Sequence, residues 1–223
     1  MECSKMKALR FELFTPTGIF KTPFSLKGIE TYPLPPYSTI IGLLYTAVGR
    51  KWQGEEFQIS IQGRHQALFR DYVRFRKYNV DKKKLEVVPI EVPILYQLEL
   101  IVHLYGEYEL LREFAEGLRK PQTYLYLSGG EYAVKIRRVD FVELEERKVE
   151  EFKLEWSAFL PKDRYRELSL SPSGILYLLP AFLKKESSLR EHNWIEAYYL
   201  QSGTVIEEGK VLLEVEGGLP VWL

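Results

Sequence analysis

Thr31-Tyr32-Pro33-Leu34-Pro35-Pro36-Tyr37-Ser38-Thr39-Ile40-Ile41-Gly42-Leu43-Leu44 joins two kinds of backbone. The prolines fix φ and push the residues before them toward extended conformation, so the chain must arrive straight. Pro36 then suits the first turn of a helix, and Tyr37, Ile40, Ile41, Leu44 and Val48 recur at helical spacing. Gly49 reads as the stop, with Arg50 and Lys51 near the negative end of the helix dipole. Such a helix starts with unpaired N–H groups beside the hydroxyls of Tyr37, Ser38 and Thr39, an arrangement that holds phosphate. Gly42, inside the helix, suggests close packing or backbone approach there. On physics alone the plainer reading is preferred, a rigid loop leading into a capped helix.

Alternation on either side of this segment sets the fold class. Ahead of it, Leu9, Phe11 and Leu13 point one way from Ala8–Phe14 and Arg10 and Glu12 the other, which predicts a half-buried strand. Thr15 to Pro35 is a loop punctuated by proline and glycine. Beyond the helix, Phe57, Ile59 and Ile61 alternate with Gln58, Ser60 and Gln62 in a second strand. Ile94–Tyr105 is a third, more apolar and therefore central. Tyr108–Leu118 forms a second helix with Leu111, Phe114, Ala115 and Leu118 as its buried stripe and Pro121 beyond its end. Tyr132–Val142 is the fourth strand, bulged at Arg137–Arg138 where the alternation changes phase. The order strand-helix-strand-strand-helix-strand is the split β-α-β, or ferredoxin-like, arrangement of an α+β protein.

The ferredoxin-like domain spans 1–142. The acidic stretch Glu143–Glu151 reads as a linker into a small, mainly β domain ending at 223, with strands at Gly174–Leu183, Trp194–Leu200 and Val211–Val215.

The 223 residues allow a sizeable core, and a hydrophobic share of 46% with 28% charged is that of a globular protein. No apolar run is long enough to cross a bilayer, and Met1–Lys7 has no signal-peptide character, so a cytoplasmic protein with no membrane partner is expected. Met6 is a second candidate start. The one cysteine, Cys3, rules out an internal disulfide and a cysteine-based zinc site. Lys and Arg number 31 against 31 Asp and Glu, so any nucleic acid must be held by a local basic patch.

Two further segments could carry chemistry. Leu68 to Pro93 is an insertion where the fold needs only a short hairpin. Arg70, Arg74, Arg76 and Lys77 are interleaved there with Tyr72, Phe75 and Tyr78, ahead of a turn carrying Lys82, Lys83 and Lys84. Basic groups that meet phosphates beside rings that stack on bases would serve RNA binding. The same pattern equally describes a solvated hairpin whose lysines guard its edges. Tyr124-Leu125-Tyr126-Leu127-Ser128-Gly129-Gly130-Glu131 allows close backbone approach at its glycines, although an ordinary turn has the same look.

No catalytic set emerges. His65, His103 and His192 lack metal-ligand spacing, and no metal or cofactor is expected. His65, beside Arg64, is the one histidine worth testing as a general base. A phosphate-cradling GKS/GKT loop, a serine-nucleophile elbow and the aromatic ribonucleoprotein motif are all missing.

Together these segments resemble Cas family five, a branch of the RAMP superfamily. Its hallmark entry into the first helix, Tyr-Pro-Leu-Pro-Pro-x-Ser-x-x-x-Gly-x-Leu, is matched by Tyr32 to Leu44, and Tyr124–Glu131 is similar to a degenerate form of its Leu-Gly-Arg-Ser motif. The resemblance covers about two-thirds of the chain. It implies a non-catalytic subunit that grips the 5′ handle of crRNA in a type I surveillance complex (Cascade), serving antiviral defence. The insertion becomes a β-hairpin thumb, and the partners are crRNA and the backbone and large subunits. The implied RNA-binding set is Lys21, Lys27, Tyr37, Ser38, Thr39, Arg70, Arg74, Arg76, Lys77, Ser128, Gly129 and Gly130. One branch of the family cleaves precursor crRNA with a Tyr/Lys/His set, and Arg64-His65 is the nearest substitute here. An endoribonuclease of that kind and a ferredoxin-like small-molecule or protein-binding module remain the alternatives.

Overall fold

The computed structural model describes residues 6–23, 29–128, 132–185 and 191–223, with Phe75 and Tyr132 by backbone alone. Strand β1 (Met6–Gly18) leads to helix α1 (Tyr37–Val48) and strand β2 (Gln58–Arg64). Strand β3 (Ala67–Asn79) turns into the long strand β4 (Lys84–Tyr105), followed by helix α2 (Tyr108–Arg119). A two-stranded hairpin, β5 (Tyr126–Leu127) with β6 (Tyr132–Ala133), precedes strand β7 (Lys135–Lys153). In the main sheet β2, β4, β1 and β7 lie side by side and antiparallel, with α1 and α2 as crossovers, the order expected from the sequence.

The middle of one face of these strands is apolar. Leu9, Phe11 and Leu13 align with Leu104, Val102 and Leu100, and Ile59 and Ile61 extend the row. Against it pack Ile40 and Leu44 of α1 and the expected stripe of α2, Leu111, Phe114, Ala115 and Leu118. Removing Phe114, which is fully buried, would cost roughly 3–5 kcal/mol. The close approach expected at Gly42 is found elsewhere. A Cβ on Gly42 would meet nothing within 4 Å among the described residues, whereas one on Gly117 of α2 would lie 2.6 Å from Val48 Cγ1. Helix α1 does end at Gly49, in the left-handed conformation with φ 73°.

The expected linker Glu143–Glu151 is instead the second half of β7. Its charged side chains stand on a strand whose backbone is paired along its length with β12 (Val205–Glu214), so polarity reflects an exposed face and not a break. The fourth strand is bulged where its phase changes. Ile136 pairs with Leu13 and Arg138 with Glu12, leaving Arg137 as the extra residue.

The last third is mostly strand, as read, with more strands than its alternation showed. Strand β8 (Ser157–Pro161), helix α3 (Lys162–Tyr165) and strand β9 (Ser169–Ser171) precede β10 (Ile175–Leu183) and β11 (His192–Leu200), and β13 (Pro220–Val221) follows β12. Strands β8, β11 and β10 extend the sheet beyond β2, and β12 and β13 extend it beyond β7. The C-terminal hairpin then lies across the second face of the central strands. Gln62 Nε2 donates to the Pro220 carbonyl at 2.6 Å, and the Trp222 N–H donates to Ser60 Oγ at 3.0 Å. Farther along the same face, Arg64, Glu99 and Phe14 are left partly open to solvent.

Candidate nucleic-acid interface

The proline-rich approach to α1 is held at both ends. The Tyr32 N–H donates to the Phe20 carbonyl at 2.8 Å, and the Phe20 N–H donates to Thr31 Oγ1 at 2.9 Å, around a bridge between Lys21 and Thr31. The Tyr32 hydroxyl reaches across to the Leu178 carbonyl of β10 at 2.8 Å, and its ring meets Tyr177 edge-on at 5.8 Å. Pro36 is the N-cap, extended at φ −68° and ψ 161°. No side chain caps the helix and its first turn has no acidic residue. The Thr39 N–H bends back to the Pro36 carbonyl at 3.0 Å, so Tyr37 and Ser38 carry the forward-pointing donors of the positive helix end.

The Tyr37 side chain belongs to the core. It is buried against Phe159, with ring centres 6.5 Å apart, and its hydroxyl has no partner among the described residues. Burial pushes that phenol well above its ordinary value. Of the two roles open to this ring, stacking on a base or packing, it takes packing, and only its backbone faces the helix entry.

Ser38 and Thr39 are half-buried and line a cleft of about 670 Å³. Lys21, Arg74, Arg76 and Ser128 line it too, between apolar walls that include Phe20, Val73, Val92 and Pro180. Segments widely separated in sequence therefore converge on one site. Strand β3 pairs only with the outer arm of β4, from Ala67↔Tyr96 to Asn79↔Lys84, and forms the expected hairpin with its turn at residues 80–83. Arg74 and Arg76, two apart on β3, share a side of the hairpin. Both are exposed, and neither has an ion-pair partner among the described residues. Arg70 is drawn to Glu91 at 3.7 Å, and Lys77 stands on the other side of the strand; neither lines the cleft.

Ser128 does something other than expected of it. In the left-handed region at φ 57°, its hydroxyl accepts from the Ile19 N–H at 3.0 Å and donates to the Ile19 carbonyl. Its hydrogen bonds are spent tying the β5 turn to the end of β1, which shapes the cleft wall. Lys27, Gly129 and Gly130 lie outside the described residues. Sequence reasoning missed the wall from Pro180, because nothing local in β10 signals its approach to α1.

No histidine among the described residues lines the cleft. His103 is buried against Glu214, His192 Nδ1 lies 2.9 Å from the Ala181 carbonyl, and His65 is half-buried at the base of the hairpin. Desolvation lowers the His65 pKa from its ordinary value. No group of three or more metal-ligating side chains occurs among the described residues. A larger cavity, about 1130 Å³, opens elsewhere beside Trp52, Phe57 and Phe182, and includes none of the residues of the expected RNA-binding set.

Comparison with known proteins bears on the family and the fold. Residues 8–186 match a family described as CRISPR-associated protein (Cas_Cas5). A chain from a CRISPR RNA-guided surveillance complex superposes with a TM-score of 0.58 at 14% identity, over 89% of this chain and 91% of that one. A Cas protein gives 0.52 at 17% identity, over 90% and 95%, and a CRISPR protein from Archaeoglobus fulgidus gives 0.50 at 12%, over 97% and 98%. At such identities the likeness is one of fold. No curated protein matches. With four-fifths of its length inside the family's pattern and the family's helix entry at the mouth of its cleft, the chain belongs to the CRISPR-associated Cas5 family.

Proposed function

We propose that this protein is a non-catalytic subunit of a CRISPR effector complex that holds the 5′ handle of crRNA and caps the complex backbone in antiviral defence. Residues 1–142 act as a ferredoxin-like RNA-binding unit with the β3–β4 hairpin as its thumb. Its partners are crRNA and the backbone and large subunits, met in the cytoplasm. The observation that carries this is the convergence of Ser38, Thr39, Lys21, Arg74, Arg76 and Ser128 on one cleft. The cations meet phosphates, the Ser38 and Thr39 hydroxyls and the free N–H groups of the helix entry add donors, Ser128 shapes the wall, and the apolar walls accept the face of a base. An exposed helix terminus contributes roughly 0.3–1 kcal/mol toward an anion, so the entry positions the RNA and the arginines supply more of its affinity.

Holding and cleaving are separated by experiment, since cleavage needs a general acid or base within hydrogen-bond reach of the reacting atoms. The test is to co-express the tagged chain with a repeat-spacer array and effector subunits, purify it, and sequence the 5′ ends of the RNA recovered. A common repeat-derived 5′ end is expected, and its protection should be lost in Arg74→Ala/Arg76→Ala. Undiminished protection in that variant would overturn the assignment. Metal-independent cleavage of repeat RNA by the purified chain would replace it with the endoribonuclease.

A further inference from the structure

On the open part of the sheet's second face, two arginines each lie over an aromatic ring and share one carboxylate. The Arg64 guanidinium, at the end of β2, is 4.2 Å from the Trp156 ring centre and bonds Glu99 Oε2 at 2.7–2.8 Å. Arg137 bonds the other oxygen, Oε1, and lies 4.7 Å from the Phe14 ring centre. Arg64 and Phe14 are both register partners of Glu99, and Lys135 is the partner of Phe14, so the four side chains share this face. The bulge at Arg137 matters here. Without the extra residue Arg138 would turn toward the helices, whereas it now stands on the open side within 3.9 Å of Glu12.

Charge and exposure point outward. Arg138 is taken up by Asp140 and Glu12, but Arg64 and Arg137 share the single carboxylate of Glu99, with Lys135 on the same face beyond Phe14. Lys135 has no ion-pair partner among the described residues. The side chains of Arg64 and Arg137 are 61% and 41% exposed against 23% for Glu99, so the cations lie outside the anion that orients them. Their pull holds the Glu99 carboxyl below the usual carboxylate value, Arg137 contributing most and then Arg64. A guanidinium backed by a ring and fixed by a carboxylate is preorganised. Its remaining N–H groups suit phosphate oxygens, and guanidinium planes also stack on bases.

We infer that Arg64, Arg137 and Lys135, backed by Trp156 and Phe14, form a second nucleic-acid site that takes the phosphodiester backbone of a single strand. The site lies on the face opposite the helices at the base of the β3–β4 hairpin and shares no residue with the cleft. It therefore stands or falls separately from handle binding. A purely structural triad is the competing account, and Glu99→Gln separates the two. In a structural triad this change loosens the fold and leaves binding alone; at an anion site it removes the competing carboxylate and tightens binding.

The experiment uses the full chain carrying Arg74→Ala/Arg76→Ala, which disables the cleft, and fluorescein-labelled 20-nucleotide single strands of one mixed sequence, as RNA and as DNA. Anisotropy titrations over about 50 to 200 mM salt should show residual binding of at least one strand. Equal binding would assign the contacts to the phosphodiester, and preference for RNA would add the 2′-hydroxyl. Adding Arg64→Ala/Arg137→Ala should weaken that binding about tenfold and lower the salt slope by about two, while Glu99→Gln should strengthen it. Lys135→Glu, at an exposed position, gives the same reading if the double arginine variant fails to fold. Unchanged affinity and salt slope in Lys135→Glu and Glu99→Gln would overturn the inference.

Discussion

His103 Nε2 lies 2.6 Å from Glu214 Oε1, joining the end of β4 to the end of β12 inside the protein. Arg10 Nη1 meets the other oxygen of that carboxylate at 2.8 Å, while His103 Nδ1 has no partner among the described residues. The ring is therefore neutral and donates from Nε2, since a second proton at Nδ1 would be buried without an acceptor. Burial lowers the His103 pKa from its ordinary 6.5, against a smaller opposing pull from Glu214.

The sign of the pH effect follows. The unfolded chain takes up this proton first, so stability is full above about pH 6.5 and is lost as pH falls below it. His65, also lowered by burial, acts in the same direction. The measurement is thermal unfolding from pH 7.5 to 5.5 for the protein and His103→Gln. The variant should be weaker at pH 7.5, by roughly 1–3 kcal/mol for a disturbed buried hydrogen bond, and its further loss toward pH 5.5 should be shallower. Parallel curves would mean that folding leaves the His103 pKa unshifted, and a steeper loss in the variant than in the protein would mean that His103 is already charged when folded.

Tyr37→Phe deletes a buried hydroxyl that has no partner among the described residues. Removing such a group should raise stability, by up to about 1 kcal/mol, because its desolvation goes uncompensated. RNA recovered with the complex should not change. A loss of RNA at unchanged stability would show that the hydroxyl contacts the ligand.

Ser38→Asp places a carboxylate in a first turn that has no acid, where it favours the helix dipole by roughly 0.3–1 kcal/mol. Melting should hold or rise slightly while crRNA recovery falls, since the carboxylate repels phosphate. Normal RNA occupancy in this variant would make the helix entry purely structural.

Arg74 and Arg76 line the cleft and Lys77 does not. Arg74→Ala/Arg76→Ala should lower the salt slope of handle-RNA binding by about two, and Lys77→Ala should change it little. Equal effects would mean that RNA wraps both sides of the hairpin.

Much of this was legible in the sequence because the first part of the chain keeps strict periods. Leu9, Phe11 and Leu13, and Leu111 to Leu118, report their buried faces directly, and the phase change at Arg137–Arg138 marked a real bulge. Ser60 and Gln62 were read as the polar side of a strand, yet they are 0% and 1% exposed because the C-terminal hairpin covers them. Long-range pairing of that kind leaves no local trace, and the same holds for the β7–β12 pairing that turned an apparent linker into sheet. At the site, Ser38, Thr39, Lys21, Arg74 and Arg76 could be picked out by chemistry. The inward turn of Tyr37 and the Ser128 tie to Ile19 depend on neighbours far away in sequence.

Strand β4 runs unbroken for 22 residues, from the hairpin tip to the centre of the sheet. Its left-handed residue, Gln97 at φ 53°, sits where the hairpin meets the sheet. Beyond that point the strand is clamped between β1 and β2. The hairpin is thus a cantilever with its fulcrum at Gln97. Load on its outer end passes along β4 into the pairing with β1 and β2, so the hairpin's position beside the helix entry is tied to the centre of the sheet.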